Sequence, residues 1–162
     1  MGQLLPIRRS TSIVDELEGM QDRIMRQAYD IFESNGGLFG KDIEDWMQAE
    51  RELVWKPAIE LTEKDDQFRL ELAAAGVDPK SIVIEVTPED ILIRADAHHE
   101  HRKGDGEVHA CEFASGNLFR SIHLPKKIEP EKVKAEFKGG LLTLNAPVAK
   151  EARIKKVIVE AA

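Results

Sequence analysis

Five residues in the middle of the chain have side chains that could hold a metal ion: His98, His99, His101, His109 and Cys111. Imidazole and thiolate groups are ligands for zinc and copper. Alternate positions such as His99 and His101 share one face of a strand. The spacing of the five matches no established zinc signature. We therefore expect a polar, histidine-rich loop that holds no metal, and we expect no cofactor.

Two further patterns disfavour an enzyme. Cys111 lies close to His109, but a nucleophilic cysteine needs a base that a third group orients, and the sequence offers no acid that can be placed there. Residues 37–42, Gly-Leu-Phe-Gly-Lys-Asp, lack the second half of the phosphate-binding loop pattern. We expect no ATP site, and a histidine-dependent metalloenzyme is the least favoured class.

Composition narrows the choice of partners and compartment. The chain has 162 residues and a net charge of −7, with only 2 Trp, 1 Tyr and 6 Phe. A nucleic-acid-binding protein is usually basic, so we expect no nucleic-acid partner.

A single cysteine excludes an internal disulfide and fits a reducing compartment. The sequence contains no apolar run of about 18 residues, and Arg8-Arg9 follow the first apolar patch, which is the reverse order of a secretory signal. We expect a cytoplasmic protein without a membrane partner.

The first zone of the chain, residues 1–54, has helical periodicity. One apolar stripe recurs every three or four residues and consists of Ile13, Leu17, Met20, Ile24, Ala28 and Ile31. Asn35-Gly36-Gly37 predicts its end, and a second helix is predicted from about residue 42 to 54, with Trp46 and Met47 among its apolar members. Two interpretations remain open: a helix packed on its own domain, or a mobile amphipathic segment that binds other proteins.

The second zone, residues 55–147, changes to a period of two. Phe68, Leu70 and Leu72 alternate with polar residues, and similar short runs follow along the zone. Turn signals such as residues 64–66 and 139–140 separate these runs. Short strands without helices between them predict an antiparallel β-sandwich.

The third zone, residues 148–162, is mostly polar or small. Val157-Ile158-Val159 stands out near its end. A solvated tail has no need of three β-branched residues in a row, so we expect another surface to cover them.

Three segments in the second zone resemble the small heat-shock proteins, whose core is the α-crystallin domain, in their bacterial and plant-like branch. Residues 55–61 together with 68–77 are similar to the opening strands of that domain. Residues 119–125, Phe-Arg-Ser-Ile-His-Leu-Pro, are similar to a strand that ends in Leu-Pro or Ile-Pro. Residues 135–142, Ala-Glu-Phe-Lys-Gly-Gly-Leu-Leu, are similar to the A-x-x-x-n-G-x-L signature. Gly139 replaces the usual Asn or Asp, a mild change because glycine adopts left-handed turn conformations readily.

The resemblance implies an all-β fold and a domain organisation. The fold is an antiparallel immunoglobulin-like β-sandwich at residues 55–147. It carries a helical or partly disordered N-terminal arm at 1–54 and a short flexible C-terminal extension at 148–162. In this branch the sandwich dimerises when a loop strand crosses to the partner's sheet, here within about residues 107–113 and pairing near 59–61. The implied dimer interface contains Ile59, Leu61, Val108, Cys111 and Arg120.

The resemblance also implies a route to larger assemblies. Val157 and Val159 match the valine form of the family's I-x-I tail motif. That motif docks in a groove of a neighbouring subunit, and by position the groove residues here are Ile84, Val86, Val133 and Phe137.

The implied activity is that of an ATP-independent chaperone, a holdase that binds partly unfolded proteins under heat or other stress. Its partners are copies of itself and unfolded clients. The candidate client-binding residues are Ile13, Leu17, Met20, Ile24, Ile31, Trp46 and Met47. The alternative is a β-sandwich adaptor, similar to co-chaperone domains, that binds one defined protein partner.

Overall fold

The computed structural model describes residues 2–97, 99, 101, 104, 106–113 and 116–153. Within them the elements in chain order are β1 (Gln3–Leu5), β2 (Ile7–Arg9), α1 (Val14–Ser34), α2 (Asp42–Leu53), β3 (Val54–Trp55), β4 (Ile59–Lys64), β5 (Gln67–Ala73), β6 (Val83–Val86), β7 (Asp90–Ala97), β8 (Gly116–His123), β9 (Lys134–Lys138) and β10 (Leu141–Pro147). In this part of the chain, no helix combines the length and the apolar character needed to span a bilayer.

The strands form two five-stranded sheets. Sheet A has the order β1-β9-β10-β5-β4, and sheet B has the order β2-β6-β7-β8-β3. All neighbouring pairs are antiparallel except β2 with β6 and β3 with β8, which are parallel. The predicted β-sandwich is confirmed, as is the helical character of the segment in front of it.

The core lies between the sheets and follows from the alternation of apolar residues. Phe68, Leu70 and Leu72 of β5 point inward and are at most 2% exposed. Ile91 and Ile93 of β7 meet them from sheet B. Because side chains alternate across a strand, the polar residues between them face outward.

Two tight hairpins fix the register of sheet A. Asp65 and Asp66 join β4 to β5 with φ angles of 52° and 56°. Gly139 and Gly140 join β9 to β10 with φ angles of 59° and 80°. A Cβ on Gly140 would lie 3.0 Å from the Cα of Ala75, so this turn needs glycine for close approach as well as for its backbone angles.

The helices make a third layer over sheet B. Leu92 of β7 points away from the main core and is nevertheless fully buried, and Phe119 of β8 is 7% exposed. Both belong to a second apolar cluster that includes Met20 and Ile24 of α1 and Ala49 of α2. Sheet B is therefore covered on both faces.

Replacing Leu142 with alanine is expected to lower the free energy of unfolding by about 2–5 kcal/mol, because the side chain is fully buried and would leave a cavity. Leu141 is its matched control on the same strand, since it is 40% exposed. Leu141→Ala should cost less than about 1 kcal/mol. Urea unfolding at fixed protein concentration measures both, and equal losses would contradict the inward placement of Leu142.

Candidate docking groove and client-binding surface

The groove predicted for the tail lies where the two sheets come together beside β6 and β9. Its four predicted residues are buried in the single chain: Ile84 and Val86 on β6, Phe137 on β9 and Val133 just before β9 are 1%, 0%, 9% and 7% exposed. The structure thus brings the four together in one core cluster. Their role in tail docking stays a prediction.

Residues 3–9 of the same chain occupy the edge of this groove. Strand β1 pairs antiparallel with β9, with Leu5 opposite Ala135. After Pro6 the chain crosses to the other sheet, where β2 pairs parallel with β6 and Ile7 lies opposite Ile84. The Ser10 N–H then donates a hydrogen bond to the Val86 carbonyl at 2.9 Å. We call residues 3–9 the groove segment.

Two side chains of the groove segment enter the core. Leu5 is 8% exposed and belongs to the main core cluster, and Ile7 packs against that cluster while partly buried. Leu4, the middle residue of β1, is 77% exposed. Sequence reasoning missed this segment, although the Leu5-x-Ile7 spacing has the same period of two as Val157-x-Val159.

The tail motif itself, Val157 and Val159, lies outside the described residues. The described chain ends at Arg153, whose Nε donates to the Val148 carbonyl at 3.3 Å. Val148 is fully buried and bridges to Ile128.

The structure divides the predicted client-binding residues into two groups. Ile13, Met20, Ile24 and Ile31 are 5–8% exposed and face the second cluster, and Leu17 packs partly buried against it. Trp46 and Met47 of α2 are 38% and 49% exposed. The structure therefore matches the interpretation of α1 as a helix packed on its own domain, and the five stripe residues could reach a client only if α1 left sheet B.

A different apolar surface of the helices is open. Met25, Tyr29 and Phe39 are 55%, 59% and 91% exposed, and they line one shallow groove with Phe32. The rings of Phe32 and Phe39 have centroids 5.8 Å apart. We call these four residues the helix patch. Sequence reasoning did not single out the aromatic members, because Tyr29 and Phe39 lie off the apolar stripe.

Polar contacts hold the helices in place around the patch. Arg94 of β7 donates to Glu16 of α1 at 2.8 Å and to Glu85 of β6 at 3.1 Å, which ties α1 to sheet B. Glu52 of α2 accepts hydrogen bonds from Gln48 and from Gln27 of α1, both at 2.9 Å. These amide bonds lower the pKa of Glu52, because they favour its charged form.

Tyr29 is the helix-patch residue whose side-chain pKa is shifted. A hydrogen bond with the Glu33 carboxylate raises the pKa of the Tyr29 hydroxyl, and the negative charge of Glu33 adds to the effect. A phenol is neutral at physiological pH even at its ordinary pKa of about 10, so this shift leaves the charge of the helix patch unchanged.

The predicted dimer-interface residues lie in three places. Ile59 and Leu61 are partly buried on β4, the edge strand of sheet A. Val108 and Cys111 are exposed in the loop after β7, and the described residues 106–113 carry no strand in the single chain. Arg120 is half-buried on β8 and lines a cavity beside α1. The predicted exchange of a loop strand between subunits stays a prediction.

Part of the predicted histidine-rich loop comes together. Ligand atoms of His99, His101 and Cys111 lie within 4.8 Å of one another, and the His99 ring stacks on Phe113 with centroids 4.4 Å apart. His109 lies on the same loop outside this group, and His98 lies outside the described residues. That the loop holds no metal stays a prediction.

Together, a two-sheet sandwich, a groove that takes up an added strand and a helical segment in front define a protein of the α-crystallin-domain class. The chain belongs to the Hsp20/alpha crystallin family, whose family model matches residues 60–160. A second family model, described as a protein of unknown function (DUF2934), matches residues 20–54, which cover most of α1 and all of α2.

Known proteins agree with this membership. Small heat shock protein C4 of Rickettsia felis is 28% identical over 104 residues, which cover 64% of this chain and 64% of that protein. Spore protein SP21 of Stigmatella aurantiaca is 28% identical over 103 residues, which cover 64% of this chain and 61% of that protein. The match thus spans less than two thirds of the length of either relative.

Solved structures share the fold. Heat shock protein 16.0 of Schizosaccharomyces pombe aligns with a TM-score of 0.55 at 24% identity and covers 66% of this chain and 99% of its own. The hspA protein of Xanthomonas axonopodis aligns with a TM-score of 0.54 at 22% identity and covers 61% of this chain and 98% of its own.

Proposed function

We propose that this protein is an ATP-independent chaperone that binds partly unfolded proteins and prevents their aggregation. Membership of the Hsp20/alpha crystallin family supports this function. Holding a client requires no chemical step, so the protein acts without being an enzyme. It works in the cytoplasm on proteins, and its acidic charge disfavours nucleic acid and anionic membranes as partners.

The observation that carries the proposal is the helix patch. Three large apolar side chains that are each more than half exposed lie together on a chain of net charge −7. A clustered apolar surface marks a binding site, and the flexible thioether of Met25 adapts to partners of irregular shape. The surrounding negative charge keeps a loaded chaperone soluble by self-repulsion.

The same proposal includes self-association. Strand β4 is an open sheet edge with Ile59 and Leu61 on it, and an unpaired edge is a template for a strand from another chain. The loop of residues 106–113 is long enough to supply that strand in a dimer. Dimers then assemble further when Val157 and Val159 dock at β6 and β9 of a neighbour.

Heating a labile enzyme with the purified protein tests the function. Light scattering of the enzyme should stay low in the absence of ATP, and a second, unrelated client should be protected as well. An inert acidic protein at the same mass concentration is the control. Precipitation of both clients at the control rate would contradict a holding activity.

A further inference from the structure

Three aromatic rings of the helix patch form a connected group beside the turn between α1 and α2. The ring centroids of Tyr29 and Phe32 are 6.2 Å apart, and those of Phe32 and Phe39 are 5.8 Å apart. Tyr29 and Phe39 are more than half exposed, so a ligand can reach them from solvent. The face of an aromatic ring attracts a cation, and arginine is the protein cation that most often stacks on one.

Two carboxylates line the same shallow groove as the rings. Asp42 and Asp45 of α2 lie there together with Tyr29, Phe32 and Phe39. The two acids are three residues apart and therefore share one face of the helix. Asp42 is exposed, whereas Asp45 is 5% exposed. The groove thus combines aromatic rings with negative charge, which a purely apolar ligand would not require.

Asp45 is a buried charge without a cation beside it. The buried polar side chains of the described residues are those of Asp45 and Thr87, so Asp45 is the one with a formal charge. The described hydrogen bond to its carboxylate is long: Asn35 Nδ2 donates to Oδ1 at 3.4 Å. No ion pair among the described residues includes Asp45.

A buried carboxylate is costly unless a charged group pairs with it. The positive end of the α2 dipole favours acids in the first turn of the helix, but the exposed Glu44 has the same benefit without burial. A cation from another molecule, bound in the groove, would supply the partner that Asp45 lacks.

The chain's own charges leave the groove to such a ligand. Arg26 lines an adjoining hollow with Met25 and Tyr29, and it is not among the residues that line the groove itself. Residues 1–54 contain 11 Asp and Glu against 6 Lys and Arg. A region of excess negative charge attracts a positively charged partner.

We propose that the helix patch, together with Asp42 and Asp45, is a binding site for an arginine side chain of a partly unfolded protein. This inference rests on the proposed function and names the client chemistry that the protein selects, which is a segment in which arginine lies next to apolar residues. The planar guanidinium stacks on the rings while its N–H groups donate to the carboxylates. The thioether of Met25 packs on the apolar neighbours of the arginine.

A pair of unstructured, dye-labelled peptides tests the site on the full chain. Both carry the same leucines and alanines around one central position, which is arginine in the first peptide and citrulline in the second. Citrulline has nearly the shape of arginine but no charge. Fluorescence anisotropy should show that the arginine peptide binds at least about tenfold more tightly. A third peptide with lysine should bind more weakly than the arginine peptide, because an ammonium group is strongly hydrated and does not stack.

Two variants and a matched control locate the preference. Asp45→Asn keeps the size of the side chain and should remove most of the preference for arginine over citrulline. Glu44→Gln removes one charge from the same turn of α2, outside the groove, and should keep the preference. Phe39→Leu removes a ring that is 91% exposed, so folding is not at risk. It should weaken binding of the arginine peptide more than binding of the citrulline peptide.

Equal affinity of the unaltered chain for the arginine and citrulline peptides would overturn the inference. Equal affinity for arginine and lysine peptides would contradict the stacked guanidinium. Equal loss of the preference in Asp45→Asn and Glu44→Gln would assign it to net charge and overturn the site as well. Circular dichroism checks that Asp45→Asn is folded, and Phe39→Leu keeps the test decisive if it is not.

Protection of a heated client, measured on the same samples, separates this inference from the proposed function. An unaltered chain that shows no preference for arginine but protects the client would remove the arginine site and support the holding activity. A chain that prefers the arginine peptide but leaves the client to precipitate would support the site and contradict the holding activity.

Discussion

Val157→Ala together with Val159→Ala is expected to shrink the assembly toward dimers. Each substitution removes two carbons from a side chain that is buried on docking, at about 0.8 kcal/mol per carbon. The pair therefore costs each docked tail about 3 kcal/mol, which is roughly a hundredfold in affinity. Because an assembly is held by many such weak contacts at once, the loss multiplies over the particle.

Mass by light scattering at several protein concentrations measures this effect. Ile158→Ala is the matched control, since neighbouring residues of an extended strand point to opposite sides. It removes three carbons from the same tail, against four in the double variant, and it removes them from the side expected to face away from the groove. An unchanged mass in the double variant, or an equal loss in the control, would contradict docking through Val157 and Val159.

Loss of most client protection is the result expected when the helix patch is made polar by Met25→Gln, Tyr29→Gln and Phe39→Ser. The three side chains are each more than half exposed, and each contributes about 1–2 kcal/mol when a client covers it. Glutamine keeps nearly the helix propensity of methionine, so α1 should remain folded. The amount of chaperone needed for half protection should rise at least about tenfold.

The control for this experiment changes apolar residues away from the patch. Val14→Gln and Leu141→Ser remove side chains that are 51% and 40% exposed. Circular dichroism should give the same melting temperature for all variants within a few degrees. Full protection by the patch variant would place the client surface elsewhere. Deleting the front of the chain is a poorer test, because residues 3–9 belong to both sheets.

The sandwich could be predicted because its signal is local. Strands such as β5 and β10 alternate apolar and polar residues in the sequence, and each alternation becomes one buried and one exposed face. The hairpins at residues 65–66 and 139–140 carry turn residues that tolerate positive φ. Leu92 is the exception on β7, since the sequence gives no sign that helices cover the outer face of sheet B.

The groove segment could not be predicted by the same reasoning. Its two strands have three residues each, too few for a periodic pattern, and Pro6 between them argues against a strand. Proline is tolerated there because the chain leaves one sheet and joins the other at that residue. The pairing is long-range, between residue 5 and residue 135, and only the folded chain reveals it.

The apolar stripe of α1 shows a further limit of sequence reasoning. Its spacing predicts a helix with one buried face, and α1 has that face. Periodicity does not identify what buries the face, so packing on sheet B and capture of a client predict the same spacing. In the described structure the stripe packs against Leu92 and Phe119 of sheet B, and a role of the same residues in client binding stays a prediction.

Cys111 offers a direct way to measure whether subunits exchange between the proposed assemblies. It is the chain's single cysteine and its thiol is exposed, so one maleimide dye attaches at one known position without any engineering. Two preparations, one labelled with a donor dye and one with an acceptor, can then be mixed. The growth of energy transfer with time would give the rate at which copies of the chain change places.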